Sequence, residues 1–456
     1  MAKGELMKTN FYKKVAMIAA PIALQQLVIS SLNMVDVFMI SSLSNESIAG
    51  VGGANKLYFI FNLFLFGMSS GSAILTAQYW GARDYQNIKK VYGITLTFGI
   101  AVSMIFSCLA VFAPEWIMDF FTDDNQVIYE GARYLRLVGF AYVFNAISFA
   151  TVFTLRSTKE VKIPLFVSIV AIGLNTFLNW ILIFGQFGFP AMGVTGAAIA
   201  TLISRFLEAL ILIVICNQRK LAPSGKLNEI FSFSFELVKK YLVIAGPAVA
   251  NEVLWATGVT MYAVVYGKMG TEVMSAMTIF QTIEQMVFVL VLGVANSAAI
   301  ILGNTLGKGK LDQAFAEAKQ FIRLAIMVSA FLAAIIVLLA EITVSLFPLT
   351  ETVHMYVVRC LYVLAVAIVP RTLNTLTVVG ILRSGGDTFF TAAADGVGVW
   401  LVGVPLAFLS GVYLQWEIWF VLAAISMEEV VKAALTLWRT YSKKWLRNLA
   451  AETKTS

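Results

Sequence analysis

The sequence alternates long apolar stretches with short clusters of charged and turn-forming residues. Breaking it at those clusters gives twelve apolar segments, at roughly 15–42, 48–79, 92–114, 131–155, 162–186, 194–216, 239–266, 275–304, 318–347, 355–382, 389–413 and 417–438. Each approaches or exceeds the ~20 residues that cross a bilayer as helix. Strands are excluded at such length and apolarity, because lipid cannot satisfy an open strand edge. The pattern predicts an all-α polytopic membrane protein with twelve transmembrane helices.

An internal repeat organises those helices. Displacing the chain by 226 positions lays KKVAMIAAP (Lys13 to Pro21) on KKYLVIAGP (Lys239 to Pro247); Glu46 then meets Glu272, Gly67 meets Gly293 and Gly81 meets Gly307. After a one-residue gap, TLRSTKE (Thr154 to Glu160) faces ILRSGGD (Ile381 to Asp387). The expected division is an N-lobe at 1–216, a cytoplasmic linker at 217–238, a C-lobe at 239–440 and a basic cytoplasmic tail at 441–456. Six is even, so both pseudosymmetric six-helix lobes start on the same side of the membrane, as parallel repeats.

Composition agrees. Apolar residues make up 59% and charged residues 13%, against roughly 45–50% and about 25% in soluble domains. The net charge of +7 reads as membrane orientation rather than nucleic-acid binding. Arg83, Lys89, Lys90, Arg156, Lys159, Lys162, Arg219, Lys220, Lys226, Lys308, Lys310, Lys319 and Arg383 fall in alternate connections, and Glu115, Asp119, Asp123, Asp124, Glu341 and Glu351 in the others. By the positive-inside rule both termini are cytoplasmic, and a plasma-membrane monomer is expected. Met1 to Lys14 is polar and basic and leads into a retained first span rather than a cleaved signal. Cys108, Cys216 and Cys360 form no CxxC pair and imply neither disulfides nor a zinc site.

There is no GxxxxGK[ST] loop, the one histidine, His354, falls at an outer helix end, and no catalytic constellation stands out. Work across the membrane would therefore draw on an ion gradient, with no cofactor. The informative residues are acids inside apolar spans, since an ionised carboxylate there costs at least ~2.5–3.5 kcal/mol. Asp36, in SLNMVDVFMI, faces either a cavity, where H⁺ or Na⁺ could load it, or the outer boundary. Asn175 and Asn179 share one face of the fifth span. With Thr201 they offer neutral oxygens suited to Na⁺ beside Asp36, or they join helices by hydrogen bonding.

In the second half, Glu252 falls where the repeat has Gln26, so one lobe has an acid where the other has an amide. Glu284, one turn after Gln281, and Asp395 are further acids, either cation sites or structural ion pairs, and Arg371 is a candidate partner. Arg205 with Glu208 and Glu428 with Lys432 have the spacing of self-neutralising pairs on a helix face, and Asp387 reads as a turn contact. The 34 Phe and 17 Met would line a pocket for flat lipophilic cargo, although lipid-facing surfaces use the same residues.

The segments AAPIALQQL…MVDVFMISSLSNESIAGVG, LNTFLNWILIFGQFGFPAMGVTGAAIAT and LRSGGDTFFTAAADGVGVWLVGVPLAF resemble the multidrug and toxic compound extrusion (MATE) family. The resemblance spans nearly the whole chain. It implies two pseudosymmetric lobes enclosing a cavity and export of small organic cations in exchange for H⁺ or Na⁺. Asp36 matches the family's first-span acid, Glu252 its seventh-span acid, and Asn175 and Thr201 its N-lobe cation-site positions. Na⁺ near Asp36 or Glu252 follows from the same likeness. Asn179 stands where members with an N-lobe site often have Asp, and Thr372 near the place of an acid in some Na⁺-coupled relatives; Glu284 or Asp395 could compensate.

The expected mechanism is antiport by rocking of the lobes. A cation neutralises Asp36 or Glu252 and releases cationic cargo outward, the two ligands being reciprocally linked. The alternative is a lipid-linked oligosaccharide flippase, which would need more cavity bases than mid-span Arg205 and Arg371 supply.

Overall fold

The computed structural model describes residues 2–452, the side chains of residues 2–10, 32–34, 37 and 452 excepted. Every element among the described residues is helical. In chain order they are α1 (Ala2–Ser41), α2 (Asn45–Gly81), α3 (Tyr85–Phe112), α4 (Pro114–Asp119), α5 (Asn125–Val138), α6 (Ala141–Ser157), α7 (Lys162–Phe184), α8 (Val194–Gln218) and α9 (Leu227–Phe231). There follow α10 (Phe235–Met269), α11 (Thr271–Gly307), α12 (Leu311–Val344), α13 (Glu351–Thr375), α14 (Thr388–Gly396), α15 (Val404–Phe408), α16 (Ile418–Tyr441) and α17 (Leu449–Glu452). Wide π-helical turns at Leu376–Leu382, Val397–Gly403 and Leu409–Tyr413 prolong α13, α14 and α15.

Local chemistry sets several of these starts. Ser44 accepts the Ser47 amide before α2, Asp84 the Asn87 amide before α3, Asp124 the Gln126 and Val127 amides before α5, and Thr350 the Val353 amide before α13. Each caps amides that the first helical turn leaves unpaired.

Ten helices are long and apolar enough to cross a membrane, and α5 with α6, bent by 54°, makes an eleventh, broken span. Continuous apolarity had predicted an unbroken helix over 131–155. At the break, Gly139 and Phe140, the Gly139 carbonyl accepts both the Tyr142 amide at 3.2 Å and the hydroxyl of Ser107 on α3 at 2.7 Å, bonds that lipid could not supply. The twelfth, α16, is interrupted by Glu428, Glu429 and Lys432. Leu338, Val366 and Leu401 are 73%, 79% and 70% exposed within long apolar helices, a surface suited to lipid rather than water. The molecule is a multi-pass membrane protein.

Its repeat is visible in the helices themselves. Both α2 and α11 have 37 residues, with starts and ends separated by the sequence offset, and α3 and α12 begin in the same register. The turns before them match as well: Arg83 and its counterpart Gly309 both have left-handed backbone, at φ 59° and 74°.

The chain forms two compact units: Leu24–Val249, and Met1–Ala23 with Ala250–Ser456. The changeovers lie inside α1 and α10, each two residues past a proline, Pro21 or Pro247, and they too are related by the repeat. The first unit is centred on Phe61, stacked on Tyr142 with ring centroids 4.7 Å apart, and on Leu65, Leu135 and Met118. Its helices approach closely: a Cβ on Gly50 of α2 would lie 2.8 Å from the Gly131 amide nitrogen of α5. Such small-residue contacts hold helices together where lipid removes the hydrophobic drive. The second unit is centred on Val265, Ala276, Val357, Leu361, Ile368 and Val421.

Candidate functional site

In the first unit, Asp36 lies near the end of α1, partly buried, and its Oδ1 accepts from Asn179 Nδ2 at 2.7 Å. The same nitrogen reaches Asn175 Oδ1 at 3.2 Å. The two asparagines are one turn apart on α7 and present a single face. Asn179 is 2% exposed, yet its Oδ1 has no hydrogen-bond partner. Tyr134 of α5 is within electrostatic reach of Asp36 and is hydrogen-bonded with Thr201 of α8. One turn beyond Thr201, Arg205 binds Glu208 at 2.7 Å and adds positive potential at Asp36.

The structure thus brings Asp36, Asn175 and Asn179 together and sets Thr201 one step away, through Tyr134. A carboxylate beside an unpaired buried amide oxygen, with Arg205 near but bonded to Glu208, is a set of acceptors with no base bonded to it. A proton shared between Asp36 and that oxygen, or a small hard cation touching both, would complete it. Deeper in the same unit, Arg156 Nη2 donates to Gln25 Oε1 at 2.7 Å, and Gln25 Nε2 to Ser168 Oγ at 2.8 Å.

The second unit handles its acids differently. Glu252 Oε1 accepts from Arg383 Nη2 at 3.1 Å, with Arg383 2% exposed. Glu284 is paired with Arg371. Asp395 is buried, hydrogen-bonded by the Asn251 amide, with Lys432 Nζ 4.0 Å from Oδ1. Lys432 also meets Glu428 at 3.4 Å and Glu429 at 3.1 Å. Gln281 is exposed on α11 and Thr372 buried on α13. Among the described residues, no three His, Cys, Asp or Glu side chains converge as a metal ion would require.

The family model described as MatE matches residues 21–181 and 247–409, the two halves of the repeat. The chain belongs to the MATE family. Curated relatives include Probable multidrug resistance protein YoeA of Bacillus subtilis, 26% identical over 90% of this chain and 89% of that one. Probable multidrug resistance protein NorM of Thermotoga maritima is 24% identical over 90% and 88%. Among solved structures, an outward-facing multidrug resistance MATE family transporter superposes with a TM-score of 0.85, at 20% identity, over 95% and 96% of the two chains. A MOP superfamily transporter from Pyrococcus furiosus, described as having a binding pocket of reversed polarity, gives the same values. This MATE protein is therefore a membrane transporter of a multidrug efflux family, with the all-helical fold of its relatives, rather than an enzyme.

Several charged residues of this MATE protein sit elsewhere than their local sequence suggested. Glu428 and Lys432 do pair, but in the interior, with Glu429 and Asp395 added, rather than as an isolated couple on a helix face. Arg383, which read as a marker of the cytoplasmic side, is a buried partner of Glu252. Asp387 contacts α16, accepting from Arg439 Nε and Nη2 at 2.6 and 3.2 Å. One signal did point to Arg383: the LRS sequence recurs in both halves, and Arg156, its counterpart, is also drawn inward.

Proposed function

We propose that this protein exports small, lipophilic, cationic organic compounds by alternating access, exchanging them for one monovalent cation, H⁺ or Na⁺, at Asp36. Asn179 and Asn175 are the neutral oxygens of that site, with Thr201 behind Tyr134. The observation that carries the reading is the company Asp36 keeps: its hydrogen bond comes from a neutral amide, whereas Glu252, Glu284 and Asp395 are each bound to Arg or Lys. A carboxylate with a built-in basic partner has little to gain from a free cation, and one without has much. Cation binding at Asp36 cancels the charge that attracts cationic cargo, so each ligand weakens the other by the same factor.

The distribution of Lys and Arg among the connections supports a plasma-membrane orientation with both termini cytoplasmic. Dye transport into everted vesicles tests the assignment. Asp36→Asn is expected to reduce ethidium uptake to that of vesicles without the transporter; undiminished uptake overturns the role given to Asp36. Driving the wild type with an Na⁺ gradient at fixed pH, then with a pH gradient in Na⁺-free buffer, identifies the coupling ion.

A further inference from the structure

Lys432 is 2% exposed, on a helix otherwise suited to span lipid. Its ammonium faces three carboxylates: Glu429 Oε1 at 3.1 Å, Glu428 Oε1 at 3.4 Å and Asp395 Oδ1 at 4.0 Å. An ammonium has three N–H donors, and here each has a carboxylate to face. Each carboxylate is also fixed by a neutral donor. Tyr262 Oη donates to Glu428 Oε2 at 2.5 Å, Asn374 Nδ2 to Glu429 Oε2 at 2.9 Å, and the Asn251 amide holds Asp395. These donors come from α10 and α13, the acids from α14 and α16.

The backbone makes room for the arrangement. A Cβ on Gly398 would fall 2.5 Å from Lys432 Cδ, and one on Gly403 would strike the Tyr262 hydroxyl and the Glu428 carboxylate. Both glycines belong to the π-helical turn Val397–Gly403, a kind of distortion that recurs at functional sites. Asn251 and Asn374 are 4% and 6% exposed, and the Oδ1 of each is buried without a hydrogen-bond partner. Each of these amides points its nitrogen at a cage carboxylate. Without the lysine, three carboxylates spaced for an ammonium, wider apart than a metal ion takes, would face one another uncompensated and draw in a hard cation. Arg383 and Arg371 contribute potential from its edge but are bound to Glu252 and Glu284.

We propose that Lys432 is a tethered cation: it fills a cation socket in the second unit and keeps free Na⁺ out of it. The consequence, that exchange of a free cation is left to Asp36, rests on the transport reading above; the socket itself does not.

Binding of radiolabelled Na⁺ to the purified full-length protein separates the two. In Asp36→Asn protein with Lys432 intact, no saturable Na⁺ binding is expected. Adding Lys432→Ala, or Lys432→Gln if the alanine variant does not fold, creates one saturable site per chain. Lys432→Arg creates none, and Glu429→Gln on top of Lys432→Ala weakens the new site roughly tenfold or more. Saturable Na⁺ binding to Asp36→Asn protein that retains Lys432 overturns the proposal, whether or not the lysine variants fold. So does a folded Lys432→Ala protein that gains no Na⁺ site. Undiminished transport by Asp36→Asn would count against the coupling role of Asp36 and leave the socket standing.

Discussion

Arg156 and Arg383 occupy matching places in the two halves, yet they meet different chemistry. In the first unit Arg156 is bonded to a neutral amide, Gln25, and Asp36 is bonded to another, Asn179, whereas Glu208 has Arg205 beside it. In the second unit Arg383 is bonded to a carboxylate, Glu252, and every acid named in the site has Arg or Lys beside it. Duplication supplied two similar frames; the charges were then distributed so that one frame is internally compensated and the other is left with an acid to be compensated from outside. On the transport reading proposed above, the difference separates a part that holds its shape from a part that exchanges a ligand.

The largest effects should fall on opposite properties in the two units. Asp36→Asn abolishes gradient-driven ethidium uptake, while the thermal unfolding midpoint in detergent stays within a few degrees of the wild type or rises. Retained uptake with a lower midpoint would reverse the comparison. Glu252→Gln does the converse, leaving Arg383 buried without its acid. Removing one partner of a buried pair costs about 3–5 kcal/mol, and adding Arg383→Met to it should recover most of the lost stability, read from denaturant or thermal unfolding. Equal losses for the single and double variants would mean the pair is not the cause.

Arg156→Met should cost less, about 1–3 kcal/mol, because it strands only the acceptor of Gln25, a neutral group. A loss as large as that of Glu252→Gln would erase the distinction between the two arginines. The smallest effect concerns the matching turns. Left-handed backbone is unfavourable for Arg83 and natural for Gly309, so Arg83→Gly should gain at most about 1 kcal/mol while Gly309→Ala loses a similar amount. The same sign for both would mean that contacts, not backbone conformation, control these turns.

The twelve spans and the repeat could be read from the sequence because both depend on local or periodic patterns: apolar runs, charge clusters and the 226-position offset. The grouping of Asn175 with Asn179 was legible for the same reason, one turn of helix. The break at Gly139 and Phe140 was hidden, since two residues in an apolar stretch say nothing about a hydroxyl on another helix. The surroundings of the charged residues were hidden more completely. Lys432 and Glu428 look self-sufficient at four residues' spacing, and nothing local reveals that Asp395 and Asn374 converge on them. Arg383 looks like an orientation signal because loop arginines usually are, and only its distant partner Glu252 makes it structural.

The changeover within α1 has a consequence for the order of synthesis. Residues up to Ala23 are made before the first unit but count with the second. Phe11 packs on Phe321, with ring centroids 5.0 Å apart, and Ala19 and Ala23 lie against Gly293. The opening half-helix must therefore wait in the membrane while the whole of the first unit is made and α11 and the first third of α12 follow. The second unit is the last to close, and it closes on residues made before the first.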